Sequence, residues 1–218
     1  MFAFLRDLRA HNDREWFQAN KPRYQREVLE PALEFIRSFA PELRKISPHF
    51  QAVAKPVGGS LFRIYRDTRF SHDKTPYKTH VGIHFRHEAA EGAHAPVFYL
   101  HLEPGDCFVG MGIWRPEPAT GKRIREAIIA DTAAWKRATG RRFASTFDLG
   151  GESYKRPPQG VDAEHPLIDD LKHKSFIGMA ELTQRQVTSA GFVDEFAGMC
   201  RRGAPLVHFL CNALGVPF

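Results

Sequence analysis

The chain is 218 residues long, enough for one large domain or two small ones with a substantial core. Hydrophobic residues make up 43% and charged residues 26%, the balance of a soluble globular protein, which excludes a disordered or fibrous chain. The formal charge of +6 and a pI near 9.4 favour anionic partners, yet no block of five like charges supplies a basic nucleic-acid tail.

Cys107, Cys200 and Cys211 lack the CxxC spacing of a zinc or redox site, so buried thiols in a reducing compartment are expected. The opening MFAFLRDLRAHNDREW carries charges at short intervals, unlike a signal peptide or a membrane span, so the expected location is cytoplasmic. Asn12 with Glu15 three residues on predicts a capping box and a helix carrying Trp16 and Phe17. Pro22 suits a first turn, and Tyr24, Val28, Phe35, Phe39 and Leu43 then recur at helical spacing as one apolar stripe, which Pro31 should kink or divide. From Pro41 to Pro56 the helical period fades, and Gly58-Gly59 marks a turn.

Four strands are predicted next, at Leu61–Arg66, Val81–Arg86, Val97–Leu102 and Cys107–Trp114. They are joined by a long polar segment, a loop HEAAEGAHAP and a tight turn EPGD. Thr120 is expected to cap one helix and Asp131 another, which carries Trp135. Arg142–Phe147 reads as a strand, followed by the loop GGESYKRPPQG, a short helix near Pro166–Leu171 and a strand at Ser175–Ala180. Two C-terminal helices are predicted, the second beginning after Pro205. The sum is an α+β fold, a single domain over residues 1–218, with N- and C-terminal helices on one face of an antiparallel meander.

Alternation sorts each strand into two faces. One face holds Phe62 and Ile64, then Val81, Ile83 and Phe85, then Phe98, Leu100 and Leu102, then Val109, Met111 and Ile113, and should pack on helices. The other holds Arg63, Tyr65, His80, Gly82, His84, Arg86, Tyr99, His101, Glu103, Phe108, Gly110, Gly112 and Trp114. A merely wet face would carry Thr, Lys and Glu rather than aromatic rings, and three glycines suggest close approach of a ligand or of another backbone.

The runs FRIYRDTRFSHDKTPYKTHVGIHFR and YLHLEPGDCFVGMGIWRPEP resemble a bacterial and fungal family known as domain of unknown function 2461. The resemblance continues in NDREWF, YKRPPQG…HPLIDDLKHKSF and FVDEFAGMCRRGAPLVHFL. It spans nearly the whole chain and implies no reaction, cofactor or catalytic residue.

Among chemistries, anion binding is favoured. Arg63, Arg66, Arg69, Lys74, Lys78 and Arg86 fall in one hairpin-like unit, with Arg115 and Lys155-Arg156 in later loops. Asp67 and Asp73 should pair with some of them and leave a positive surplus. The expected ligand site comprises Arg63, Arg66, Arg69, Lys74, Tyr77, Lys78, His80, His84, Arg86, Tyr99, His101, Trp114 and Arg115. His101 or Glu103 beside Tyr99 are the candidates for acid–base work, without assigning a reaction. No metal and no cofactor are expected: His80 and His84 stand roughly 13 Å apart on a strand, and His84 with His101 and Glu103 has no spacing signature. Ser71-His72-Asp73 is contiguous and unsuited to triad geometry. Three classes stand: a pocket for a small phosphorylated or carboxylated ligand, a nucleic-acid-binding module, and an interaction or structural domain.

Overall fold

The computed structural model describes residues 1–90 and 95–218, so part of the predicted HEAAEGAHAP loop, 91–94, lies outside the described residues. The first element, α1 (Phe2–Ala10), buries Phe4, Leu5 and Leu8 and has no side-chain cap, which is why no start signal marks it in the sequence. The second, α2 (Arg14–Ala19), is capped by Asp13, whose carboxylate accepts the Trp16 N–H at 2.8 Å. Asn12, the expected cap, is engaged elsewhere. Then α3 (Lys21–Tyr24) carries Pro22 in its first turn, a π-helical turn spans Gln25–Leu29, and α4 (Glu30–Ile46) starts with Pro31 in its own first turn. The stripe is thus divided by a widened turn just ahead of the proline. It does not fade at Pro41, which lies inside α4. Phe39 and Leu43 on either side are buried, and that packing outweighs a ring penalty of roughly 3 kcal/mol.

The sheet elements are β1 (Phe50–Gln51), β2 (Val81–His87), β3 (Val97–Glu103) and β4 (Asp106–Ile113). Glu103 pairs with Asp106 across Pro104-Gly105, and Gly105 takes the positive φ of 87° that this turn requires. The later elements are α5 (Pro118–Ala130), α6 (Thr132–Ala138), α7 (Arg141–Ala144), β5 (Asp148–Gly150), α8 (Ile168–Leu171), β6 (Phe176–Leu182), α9 (Gln184–Val187) and α10 (Phe192–Leu214). Asp131 caps α6 through the Ala134 N–H at 2.8 Å, as expected. Thr120 caps nothing; it lies inside α5.

Arg142–Phe147 is not a strand. Phe143 and Phe147 are buried four residues apart in a helical turn, with ring centroids 5.2 Å apart, a spacing that short alternation mimics. Nor does Pro205 split the C-terminus. One buried stripe, Phe196, Cys200, Leu206, Val207 and Leu210, runs along α10 on both sides of it and keeps the helix continuous.

The strands form one six-stranded antiparallel sheet in the order β1-β2-β3-β4-β6-β5, giving an α+β fold. Its inner face is the apolar set predicted for β2–β4, each residue buried, and it packs on α4 and α10. Phe39, Phe85 and Phe196 meet there with centroids 4.7, 4.8 and 6.1 Å apart, joining α4, β2 and α10. The three cysteines are free and buried. No helix among the described residues is long and apolar enough to cross a membrane.

The predicted strand Leu61–Arg66 is the main correction. Leu61 makes only an isolated bridge to Ile83, and Tyr65 one to Tyr77. The outer edge of β2 is shared: β1 pairs with His87 and Arg86, and the chain returns at Ser60–Phe62 to bond the same edge. Beyond it, Arg66 N–H to Pro76 O and Lys78 N–H to Ile64 O fold residues 64–78 onto themselves as a polar arm. This displacement reverses the parity of Phe62. It is 41% exposed and lies on the outer face over His84, at 4.2 Å between centroids, while Leu61 is buried.

The contact between α10 and β4 is tight at Gly203, where a Cβ would come within 1.7 Å of Met111 Sδ. In an open helix Gly→Ala gains about 1 kcal/mol. Here overpacking reverses the sign, and Gly203→Ala should lose about 1–3 kcal/mol in urea unfolding. A stability gain would show that Met111 repacks freely.

Candidate functional site

The pairing registers lay the outer face out in rows. The first is Gly82, His101, Phe108 and Glu181; the second is His84, Tyr99, Gly110, Met179 and Asp148. The third is Arg86, Val97, Gly112, Ile177 and Gly150. The rows open into an aromatic-walled cavity of about 600 Å³ bounded by Phe62, Tyr99, Phe108, Trp114, Ile177 and Met179. A second cleft, about 570 Å³ and polar, lies toward the His80–Glu103 end and is walled by the polar arm and by Arg9 and Asn12. A third hollow of about 380 Å³ includes Arg86, Ser60 and one side of His84.

The three floor glycines serve different purposes. At Gly82 a Cβ would meet Phe62 Cδ2 at 2.6 Å and Tyr99 Oη at 2.9 Å, so this glycine seats two rings. Gly112 has φ 117° and would strike the Phe176 carbonyl at 2.1 Å, which makes it a backbone requirement. Only Gly110, where a Cβ would meet no neighbour closer than 3.9 Å, leaves space for an occupant.

A hydrogen-bonded line runs along β3 from one cavity to the other. Tyr99 Oη is 3.0 Å from His101 Nδ1, and His101 Nε2 is 3.4 Å from Glu103 Oε2. Glu103 Oε1 accepts from Arg9 Nη2 at 2.6 Å and from Thr79 Oγ1 at 2.8 Å. Burial pushes the Tyr99 phenol up to about 12, with Asp106 and Glu103 adding to the effect, so it stays protonated and is able to donate to Nδ1. With a single ring proton on Nε2, His101 accepts from Tyr99 and donates to Glu103. Burial alone would raise the Glu103 carboxyl, but the bonds from Thr79, His101 and Arg9 leave it below its usual value. His101 stacks on Phe108 at 4.7 Å and meets His80 at 4.5 Å between centroids. Burial first, and His101 next, holds His80 down at about 4, so its ring is neutral at pH 7. His84 is likewise held down at about 4, by burial and then by Arg86, and its Nε2 lies 3.3 Å from Gly59 O.

Of the residues expected to bind a ligand, Arg66, Tyr77, Lys78 and His80 line the polar cleft. His84, Tyr99 and Trp114 line the aromatic cavity, and Arg86 the third hollow. His101 lies buried behind the cleft, while Arg63, Arg69, Lys74 and Arg115 wall none of the three. Much of the basic rim is internally paired. Arg66 bonds Asp73 and Thr75, Arg69 makes a two-pronged pair with Asp67 at 2.7 and 3.0 Å, and Arg115 meets Glu152 at 3.0 Å. Lys74 and Lys78 donate instead to the carbonyls of Thr68, Arg63 and Tyr65. Among the described residues, the cleft wall therefore carries Arg9, Arg66 and Lys78 against Asp67, Asp73 and Glu103, with no surplus of positive charge.

Sequence periodicity misses Arg9 of α1 and Asn12 of the link between α1 and α2, which reach partners 94 and 65 residues away. Asn12 clasps the polar arm: its Nδ2 donates to Tyr77 O at 2.9 Å and its Oδ1 accepts the Tyr77 N–H at 3.1 Å. The Tyr77 ring, 2% exposed, stacks on Phe17 at 4.1 Å. No local pattern signals this. His80 beside His101 and Glu103 was within reach of pairing arithmetic, since it stands one residue ahead of the Val81–Leu102 pair.

A six-stranded antiparallel sheet with α4 and α10 on one face and a polar cleft and an aromatic cavity on the other defines an α+β protein. The family described as Conserved hypothetical protein (DUF2461) matches residues 1–209, and the chain belongs to that family. No curated protein and no solved structure matches it.

Removing the clasp tests its role in shaping the cleft. Asn12→Ala should lower stability by about 1–3 kcal/mol and speed tryptic cleavage at Arg66, Arg69 and Lys74 under native conditions. Cleavage at the wild-type rate would assign the hold to the Phe17–Tyr77 stack alone.

Proposed function

We propose that this protein is a single-domain cytoplasmic member of its family that binds a small amphipathic anion on the open sheet face. The aromatic cavity carries the reading. At about 600 Å³ it has the size of a small-molecule site, and its floor is left clear at Gly110. The flat apolar part of the ligand rests between Phe62, Tyr99, Phe108 and Trp114. Its carboxylate, sulfonate or phosphate turns toward a cation at the margin. Lys78 Nζ lies 5.9 Å from the Phe62 ring centroid and Arg115 Cζ 5.5 Å from that of Trp114, which supports such an orientation. Lys78 suits the task better, since its partners are neutral carbonyls while Arg115 already meets Glu152. Burial, and then Arg63, lowers the Lys78 pKa, an effect that an anion beside it would oppose. Three free buried thiols agree with a reducing compartment.

The aromatic sulfonate 1-anilinonaphthalene-8-sulfonate is a suitable probe. The native protein should bind it saturably, with a blue-shifted emission. Gly110→Leu, whose Cβ would come no closer than 3.9 Å to any neighbour, should fill the floor and weaken binding by about tenfold, or ~1.4 kcal/mol. Failure of the native protein to bind, or equal binding by a folded Gly110→Leu, would sink the proposal.

A further inference from the structure

Three side chains of metal-ligating chemistry converge at the polar cleft. His101 and Glu103 stand two apart on the outer face of β3, and His80 reaches the same place from the residue before β2. Their ligating atoms all lie within 4.8 Å of one another, and the His101 Nε2 to Glu103 Oε2 distance is 3.4 Å. A tetrahedral ion with bonds near 2.0–2.2 Å holds its ligands ~3.3 Å apart. The His101–Glu103 pair has that spacing already, and His80, which is half-buried, must turn inward by roughly 1.5 Å at most.

The surroundings of the trio favour the same use. A metal-bound imidazole ordinarily donates from its second nitrogen to a fixed acceptor, and a ligating carboxylate has its free oxygen held by donors. Both arrangements are present. His101 Nδ1 meets Tyr99 Oη at 3.0 Å, and on metal binding the proton moves to Nδ1 and is given to that oxygen. Glu103 Oε1 is held by Arg9 and Thr79, which leaves Oε2 facing the histidines. Phe108 stacked on His101 fixes the ring plane. The charges facing His80 are Lys78, which opposes a cation, and Asp106 and Glu103, which favour one. His80 and Glu103 both border the cleft of about 570 Å³, which has room for a further ligand.

We propose that His80, His101 and Glu103 bind one divalent transition-metal ion, zinc by ligand type, with a remaining coordination position open to the polar cleft. Two imidazoles and one carboxylate with an open position are the ligand set of catalytic rather than structural zinc. Such an ion would polarise a ligand oxygen or activate a water there. The site is separate from the aromatic cavity, with Tyr99 in the shared wall, so it does not depend on the amphipathic ligand.

The test uses the full chain, stripped with chelator and titrated with Zn²⁺ calorimetrically and with Co²⁺ by visible absorption. One ion per chain is expected, with Co²⁺ bands of a low-coordinate nitrogen–oxygen site. His80→Ala and Glu103→Gln should each weaken Zn²⁺ binding by more than ~100-fold, and Tyr99→Phe, which removes only the outer partner of His101, by about tenfold. His72→Ala, on the exposed arm, should leave the affinity unchanged. Imidazole nitrogen-15 shifts of His80 and His101 on adding Zn²⁺ to the wild-type chain give a readout that needs no variant to fold. No stoichiometric binding, unmoved His80 and His101 resonances, or wild-type affinity in folded His80→Ala and Glu103→Gln would each overturn the site.

Discussion

Alternation along β2, β3 and β4 is the constraint from which the rest of this molecule follows. Every second residue of these strands is a large aliphatic or aromatic group, and together they can be buried only by bringing α4 and α10 onto one side of the sheet. Once that side is sealed, the intervening residues have no choice of direction. Gly82, His84, Tyr99, His101, Glu103, Phe108 and Gly110 must share the opposite face, in rows set by the pairing register. The site is therefore a by-product of core formation in position, though not in content. A shift of one residue would turn His84 inward and expose Phe85 in β2, or turn His101 inward and expose Phe98 in β3, which is why the register is strongly held.

What lies over that face is fixed by more distant parts of the chain. Helix α1 carries Arg9 to Glu103 and the link between α1 and α2 carries Asn12 to the backbone of Tyr77, so the cleft wall and the acid of the Tyr99–His101–Glu103 line are both set from outside the sheet. At the other end, Arg125 of α5 bonds the carbonyls of Leu171 and His173 at 2.7 and 2.6 Å and lies between the rings of Tyr154 and Phe176. Trp135 Nε1 meets Asp170 at 2.7 Å in the same region. These contacts tie the Gly/Pro-rich loop and α8 to the helical layer.

Elements with strong periodicity were legible in the sequence. The three central strands, the Pro104-Gly105 turn, the Asp131 cap and the inner-face residues all follow from local pattern and turn chemistry. Elements decided by packing were not. Pro41 and Pro205 break an isolated helix, but in this protein each sits between buried residues whose contacts keep the helix intact. Phe143 and Phe147 fit either period, and burial chose the helical one. Leu61–Arg66 has good strand composition, but β1 already occupies part of the β2 edge it would join, so it pairs briefly and leaves as the polar arm.

For the site, residue types and facing were determined by the sequence itself. The rings, histidines and glycines of the outer face could be assigned because side-chain direction in a strand depends only on parity. Charge could not be read that way. The arginines of Arg63–His80 promise a positive rim, but Asp67 and Asp73 fold back onto Arg69 and Arg66, and the arm neutralises much of itself. Which chamber a residue enters and which glycine opens onto empty space depend on contacts between segments far apart in the chain. Parity is a property of one strand and holds wherever that strand forms, as in β2–β4 but not at Phe62, where the predicted strand is lost; proximity is a property of several segments and exists only once the helices have docked.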